Sequence, residues 1–296
     1  MYMEEIGIIL SVLTAISWSL ATVLYKVGLK RENIDVIVAN GIRTIPSLIF
    51  MFIIAVVVGE INQINKLPIW VIALIVVDVL FGIFLGDTLF LVAIRDAGVA
   101  VGHPVSYTYS LFVVVFAYFL LQEPVNIWTF ISAILVILGV FLLFFKAEKS
   151  ESKHMIKGLI AAILASFSWS ISMIILKIIL LSVPPILLNL IRLLVLNIII
   201  WMLISVNKMK RSELRSIDKK TLVILSIGGF FAIGLGTLLF LFAMNLIGAA
   251  KTTIIASSSP LFSTVLGVTI LKEKLDKPRV TGIMFIITGM YVLMVT

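Results

Sequence analysis

GIILSVLTAISWSLATVLYK spans residues 7–26, and GLIAAILASFSWSISMIILK spans residues 158–177. In each run the lysine at the end is the only charged residue. The hydrocarbon core of a bilayer is about 30 Å thick, and an α-helix needs about 20 apolar residues to cross it. Each run is therefore predicted to form a transmembrane helix.

Similar apolar runs fill most of the chain. Hydrophobic residues make up 61% of the 296 residues and charged residues 13%, whereas a soluble domain carries about 25% charged residues. This composition excludes both a soluble fold and a disordered chain. The chain contains no cysteine, which excludes disulfides, thiolate metal sites and a cysteine nucleophile.

The runs between charge clusters predict ten transmembrane helices, since unpaired backbone groups in lipid leave the helix as the expected form. They are residues 6–27, 34–58, 69–94, 99–121, 126–145, 157–181, 184–206, 221–246, 249–271 and 279–295. The third and eighth runs are long and contain glycine, so we expect them to be tilted or bent. The stretch from Asn207 to Lys220 is expected to be a surface loop.

The two quoted runs belong to an internal repeat. At an offset of 151 residues, Gly7, Ser17, Trp18, Ser19 and Lys26 match Gly158, Ser168, Trp169, Ser170 and Lys177. The pair Asn40 and Arg43 recurs as Asn189 and Arg192, and Gly86, Gly98 and Glu123 recur 150 residues later as Gly236, Gly248 and Glu273. The sequence therefore predicts an all-α integral membrane protein of two five-helix halves, residues 1–150 and 151–296.

Five helices are an odd number, so the second half must enter the membrane from the opposite side. The loops after helices 1, 3, 5, 7 and 9 hold 18 Lys and Arg residues, whereas the other face holds Lys66, Lys177 and Lys251. The positive-inside rule places the 18-charge face in the cytoplasm and both termini outside the cell membrane. Inverted repeats of this kind are the architecture of many secondary transporters, with the solute site near the midplane.

The chain resembles the drug/metabolite transporter superfamily, and within it the EamA-type transporters, over essentially its whole length. The resemblance rests on the Ser17-Trp18-Ser19 helix, Gly98 and Ala100, Gly86-Asp87-Thr88, the stretch from Ser106 to Leu111, and Glu123 with Glu273. It implies ten helices, with a cavity formed by helices 1–4 and 6–9 and with helices 5 and 10 at the periphery. It does not imply a substrate, because the superfamily spans amino acids, sugars, phosphorylated metabolites and drugs.

Ionisable side chains inside a transmembrane helix are costly and usually face a cavity or a partner. Arg43 and Arg192 occupy matching positions, and they are interpreted either as an anion-binding or gating pair or as structural ties between helices. Asp78 and Asp87 are candidates for proton coupling, with an ion pair to either arginine as the alternative. Nine residues on an unbroken helix amount to about 900°, so these two carboxylates are expected to face opposite ways.

A polar stripe at helical spacing marks predicted helix 4. It consists of His103, Ser106, Tyr107 and Ser110, and its counterpart consists of Thr253, Ser257, Pro260 and Thr264. Such a stripe is expected to line a cavity or a helix interface. Trp18 and Trp169 are predicted either to form cavity walls for apolar or cationic groups or to pack between helices. Glu123 is interpreted as a structural residue at the start of helix 5.

The candidate residues fall into two groups. Substrate-cavity candidates are Trp18, Asn40, Arg43, Asp87, His103, Tyr107, Trp169, Asn189, Arg192 and Ser257, and coupling candidates are Asp78, Asp87 and His103. The expected function is secondary transport by alternating access of a small metabolite such as an amino acid, with protons as the candidate coupling ion. A channel or a lipid-translocating protein is the alternative.

An enzyme is not expected. The two histidines, His103 and His154, cannot form a His-x-x-x-His zinc pair, and the chain contains neither a Gly-x-Ser elbow nor a Walker loop. We therefore predict no catalytic residue, no metal and no cofactor. The expected partners are a small solute and the lipid bilayer, without nucleic acid, in a monomer or a homodimer.

Overall fold

The structure is a computed structural model that describes residues 2–31, 34–97, 102, 105–145, 155–271 and 276–295. Its α-helices are α1 (Tyr2–Arg31), α2 (Val36–Val58), α3 (Ile69–Val79), α4 (Asp87–Ala97), α5 (Tyr109–Leu120), α6 (Ile127–Leu143), α7 (Met155–Ile179), α8 (Pro185–Val206), α9 (Lys208–Ser216), α10 (Lys219–Gly229), α11 (Thr237–Ala256), α12 (Ser259–Leu271) and α13 (Lys277–Val295). A 3₁₀ segment covers Glu60–Lys66.

The described chain is helical throughout its apolar parts. It contains 7 helices long and apolar enough to cross a membrane, together with the shorter apolar helices α5 and α6. No strand occurs within the described ranges. The prediction of an all-helical, multi-pass membrane protein is confirmed. The arrangement as ten helices in two inverted repeats stays a prediction.

Two segments differ from the α-helix at matching places. Leu80–Gly86 joins α3 to α4, Phe230–Gly236 joins α10 to α11, and both are π-helical. A π-helix pairs each N–H with the carbonyl five residues earlier and occurs frequently at functional sites. The two segments lie within the third and eighth predicted runs, which contain glycine and were the two expected to be tilted or bent. The irregularity found in these runs is the π-helical segment of each.

The expectation of one continuous helix over residues 99–121 is wrong, because a turn at Tyr107 and Thr108 precedes α5. The Thr108 hydroxyl donates to the Val105 carbonyl at 2.7 Å, and 150 residues later the Ser258 hydroxyl donates to the Ile255 carbonyl at 2.6 Å. Hydroxyl groups that bond to nearby carbonyls compete with the helix in this way. The polar stripe of predicted helix 4 therefore does not follow one helical face.

The expected surface loop at 207–220 is also wrong, since it contains α9. The Asn207 side chain caps this helix by accepting from the N–H groups of Met209 and Lys210 at 3.0 and 3.2 Å. Leu214 and Ile217 hold it against the start of α2 by packing on the cluster of Val38, Ala39, Ile42 and Leu225.

The first helix of each half packs on the later helices of the other half. α1 contacts α10, Phe230–Gly236, α11 and α12, and α7 contacts α3, Leu80–Gly86, α4 and α5. α2 packs on α8. The main apolar core lies where α3, α5, α7, α8 and α11 meet.

α6 and α13 form a closely packed pair with glycines at their interface. A Cβ added to Gly139 would lie 2.6 Å from the Gly282 carbonyl oxygen, and one added to Gly289 would lie 2.9 Å from the Ser132 carbonyl oxygen. Because lipid supplies no hydrophobic force between helices, small residues that allow close approach hold such pairs together.

We expect Gly139→Val to destabilise the protein by about 1–3 kcal/mol, because the new side chain has no space at the backbone of α13. The midpoint of thermal unfolding in detergent measures the change. Gly234→Ala is the control, since a Cβ there would lie 3.4 Å from its nearest neighbour. Equal losses in the two variants would contradict the role assigned to Gly139.

Candidate functional site

The second Ser-Trp-Ser motif attaches α7 to the first π-helical segment. The Ser168 hydroxyl donates to the Phe81 carbonyl at 2.6 Å. The Trp169 indole lies against Gly86, where an added Cβ would be 2.5 Å from the ring. Its N–H donates to Asp87 Oδ1 at 3.1 Å. The motif therefore places a tryptophan and a carboxylate side by side at the start of α4.

The first motif makes the equivalent contacts on the second segment. The Ser17 hydroxyl donates to the Phe231 carbonyl at 2.6 Å, and the Trp18 indole N–H donates to the Ala232 carbonyl at 3.1 Å. A Cβ on Gly236 would lie 2.7 Å from the Trp18 ring. Here the tryptophan binds backbone, because the position of Asp87 is taken by Thr237. The two predicted tryptophan walls thus have different chemical surroundings.

An aromatic cluster surrounds Trp169. Ring centroids of Phe90, Tyr109 and Tyr107 lie 5.2, 5.7 and 6.5 Å from that of Trp169. Trp169, Asp87 and Tyr107 are partly accessible. The cluster therefore places a carboxylate beside π faces, and both attract cations.

Asp78 lies in a closed polar contact. Its Oδ2 accepts from Arg192 Nε at 2.6 Å and its Oδ1 from the Ser172 hydroxyl at 2.5 Å. The Asp78 side chain is 0% exposed and that of Arg192 4%. Of the alternatives left open for these two residues, the observed contact is the ion pair, which ties α3 to α7 and α8.

Asp78 and Asp87 were expected to face opposite ways, and this is wrong. Both contact α7, through Ser172 and Trp169, which are three residues apart. The seven residues of Leu80–Gly86 separate them, and a π-helical turn contains about one residue more than an α-helical turn. The wider turns rotate Asp87 back onto the side of Asp78.

Arg43 has surroundings unlike those of Arg192. It donates to Asn40 Oδ1 at 2.7 Å and lies 4.2 Å above the Tyr25 ring. Its Nε has no hydrogen-bond partner, and no carboxylate of the described residues forms an ion pair with it. Where Asp78 stands in the first half, the second has Gly228, and a Cβ there would lie 2.5 Å from the Tyr25 ring. Tyrosine therefore fills the place of a carboxylate beside Arg43.

Asn189 binds backbone carbonyl groups of the second π-helical segment. Its side-chain amide donates to the Ile233 and Gly234 carbonyls at 3.1 and 3.3 Å. Its Oδ1 has no hydrogen-bond partner in the part of the chain that the structure describes. Asn40, the equivalent residue, holds Arg43 instead, so the repeated Asn and Arg pair has different partners in the two halves.

Buried hydroxyl groups without a hydrogen-bond partner among the described residues lie near the breaks of predicted helices 4 and 9. They belong to Ser106, Thr252, Thr253 and Ser257. A buried polar group that is left unpaired costs about 1–3 kcal/mol, so these hydroxyls are available to a bound solute or to water. Ser257 was a cavity candidate, whereas His103 lies outside the described residues.

Glu123 belongs to a contact that its assignment to the start of helix 5 missed. Its carboxylate oxygens accept from the N–H groups of Ala249 and Ala250 at 2.6 and 3.0 Å. These amides begin a new helical turn after Gly248, which breaks α11 at φ 84° and ψ 170°. On the other side of the break, Lys177 Nζ donates to the Met244 carbonyl at 2.8 Å. The repeat comparison paired Glu123 with Glu273 and Gly98 with Gly248, and it gave no signal for a contact between Glu123 and the residues after Gly248.

Among the residues that the structure describes, no group of three or more His, Asp or Glu side chains is placed to hold a metal ion. The candidate site consists instead of Asp87, Trp169, Tyr107 and Arg43.

Comparisons with known proteins identify the relatives of the chain. A model described as the EamA-like transporter family matches residues 5–145 and again residues 156–295. An "Uncharacterized transporter" of Archaeoglobus fulgidus is 26% identical over 289 residues, covering 97% of each chain. Another of Methanothermobacter thermautotrophicus is 32% identical over 142 residues, or 48% of this chain and 40% of that protein. A crystal structure has the same fold, with a TM-score of 0.82 at 15% identity over 98% of this chain and 96% of that one.

We expect Asp78→Leu and Arg192→Met each to cost about 3–5 kcal/mol, because each leaves a buried charge without its partner. The double variant should regain most of that loss, since an apolar pair of similar volume is often neutral. Thermal unfolding of the four proteins forms the cycle. Strictly additive losses would show that the two side chains are not coupled.

We expect Glu123→Ala to lower stability by about 1–3 kcal/mol, because two amides lose their acceptor, and Glu123→Gln to lose less. Thermal unfolding in detergent measures both. Glu5→Ala is the control, since Glu5 is an exposed carboxylate. If Glu123→Ala melted like the control, the cap on the second half would be unimportant.

Proposed function

Because this chain belongs to the EamA-like transporter family, we propose that it is a secondary active transporter and not an enzyme. It moves a small amphipathic solute of the amino-acid type across the cell membrane by alternating access. The family and the apolar helices support a membrane transporter, and the candidate site supports the class of solute.

The proposed architecture is two inverted five-helix repeats, residues 1–150 and 151–296, with both termini outside the cell. The double family match supports it. So do the π-helical segments at matching positions and the equivalent contacts of Ser17 and Ser168. Two similar halves of opposite orientation exchange conformations, which opens one central site to each side in turn.

One observation carries the solute class. Asp87, a partly accessible carboxylate, lies within an aromatic cluster, while Arg43 forms no ion pair with a carboxylate of the described part of the chain. Arg192 is already paired with Asp78, which leaves Arg43 as the arginine available to a solute. A solute with an ammonium and a carboxylate group complements Asp87 and Arg43. The rings of Trp169, Tyr107 and Tyr109 suit an apolar side chain.

Proton coupling is assigned to Asp87 rather than Asp78, since the ion pair leaves Asp78 no accessible position. His103 remains a second coupling candidate. A gate is proposed at one end of the bundle, where Glu123 and Lys177 hold the two sides of the break at Gly248.

The proposal is tested by counterflow into liposomes containing the purified protein. We expect labelled leucine to exchange saturably against unlabelled leucine, and Asp87→Asn to slow the exchange at least tenfold with unchanged thermal unfolding. Thr88→Ala is the matched control, because the Thr88 hydroxyl bonds only within its own helix, to the Phe84 carbonyl. Arg43→Gln should abolish any preference for leucine over the amine that lacks its carboxylate.

Three outcomes would contradict the proposal. A linear, unsaturable flux would indicate a channel, and movement of labelled phospholipid would indicate a lipid-translocating protein. The third is an absence of saturable exchange across the twenty amino acids, with or without a pH gradient. Equal rates for Asp87→Asn and the parent protein would place the site elsewhere.

A further inference from the structure

The short helix α9 has a basic face that takes no part in the proposed solute site. It follows the membrane-spanning α8 after the single residue Asn207. Lys208, Arg211, Ser212 and Arg215 lie within about 100° of one another around its axis. All four are exposed. They form one basic face at the end of a transmembrane helix.

Glu213 and Asp35, two acidic residues near α9, are paired on its opposite side, and Asp218 caps α10. Glu213 accepts from the Asp35 N–H at 2.5 Å, and Lys210 forms an ion pair with Asp35 at 2.5 Å. Partial burial acts to raise the pKa of Asp35, but the hydrogen bond from Lys210 and those from the amides of α2 lower it below its ordinary value. No carboxylate of the described residues forms an ion pair with Lys208, Arg211 or Arg215.

Two adjoining open depressions of the surface share the arginines of this face. A polar depression of about 320 Å³ is lined by Lys208, Arg211, Ser212 and Arg215. A second, of about 250 Å³, is lined by Arg211, Arg215 and Ser205 with the apolar residues Trp201, Ile204 and Leu214. Cationic groups at one end and apolar walls at the other suit an amphipathic anion.

Exposed apolar side chains adjoin these two depressions. Met202 and Val206 of α8 are 58% and 73% exposed and lie beside Ser205, and Met209 of α9 is 81% exposed. In a membrane protein this apolar stripe faces acyl chains. Basic pockets at the membrane surface bind the headgroups of anionic lipids, and positive charge predicts this face to be cytoplasmic.

We propose that α9 and the end of α8 form a binding site for an anionic phospholipid of the adjacent leaflet. Arg211, Arg215 and Lys208 bind the headgroup phosphate, and the partly exposed side chains of Trp201 and Leu214 contact the first part of an acyl chain. The site is separate from the solute site, and its occupation does not depend on the proposed function.

The test uses the full chain, purified in detergent and stripped of lipid, and follows thermal unfolding during titration with phosphatidylglycerol. Phosphatidylcholine of the same acyl chains and inorganic phosphate are titrated in parallel. We expect phosphatidylglycerol to raise the melting temperature and the other two to have little effect. Arg211→Gln with Arg215→Gln should weaken apparent binding at least tenfold, since two charges are lost.

The matched control is Lys219→Gln with Lys220→Gln, which removes the same charge from neighbouring exposed positions and should keep the binding. Ser212→Glu changes one exposed residue on the basic face and should also weaken binding, which keeps the test open if the arginine variant fails to fold. If the control variant lost as much apparent affinity for phosphatidylglycerol, the binding would be a general electrostatic attraction between the basic surface and the lipid, without a specific site. Stabilisation by inorganic phosphate, or equally by phosphatidylcholine, would overturn the assignment to an anionic lipid.

Discussion

The hydrocarbon core of the membrane supplies no water to a backbone group that loses its helical partner. The two π-helical segments of this protein change the hydrogen-bond pattern within apolar helices. Side chains from other helices bind the backbone carbonyls of these segments. The side chains of Ser168, Ser17 and Asn189 donate to the carbonyls of Phe81, Phe231 and Ile233, respectively. Because each serine lies in the opposite half, the local geometry of one half depends on the presence of the other. The central helices, and hence the position of Asp87, follow from these few polar contacts.

The two halves share a backbone plan but differ in chemistry. Asp78 holds Arg192 in one half, whereas Gly228 and Tyr25 stand near Arg43 in the other. Asp87 receives the Trp169 indole N–H, whereas Trp18 donates to backbone. The two halves thus have similar backbones. Differences at single positions leave Arg192 in an ion pair and Arg43 without one among the described residues. The proposed solute site lies where the copies differ.

Much of this fold follows from the apolar runs alone, because a segment of about 20 such residues in lipid has few alternatives to a helix. The repeat correctly made Trp18 and Trp169 equivalent, since both lie on glycines of the π-helical segments. It did not reveal those segments, because a shift to bonds five residues apart depends on tertiary partners, and the relative facing of Asp78 and Asp87 was therefore wrong. The helix α9 was missed because most of its residues are polar, and it is held in place by Leu214 together with the contacts of Lys210 and Glu213 to Asp35. The partner of Arg192 was one of several alternatives, and distance between the side chains was needed to choose among them.

The contact between Ser17 and Phe231 joins residues 214 positions apart in the chain. A ribosome that adds about 5–20 residues per second therefore needs roughly 10–40 s after making the first partner to deliver the second. During that interval the serine of α1 lacks its partner in the second half, and the first half cannot reach its final packing. Folding of the first half is therefore completed only after the closing segment has been translated.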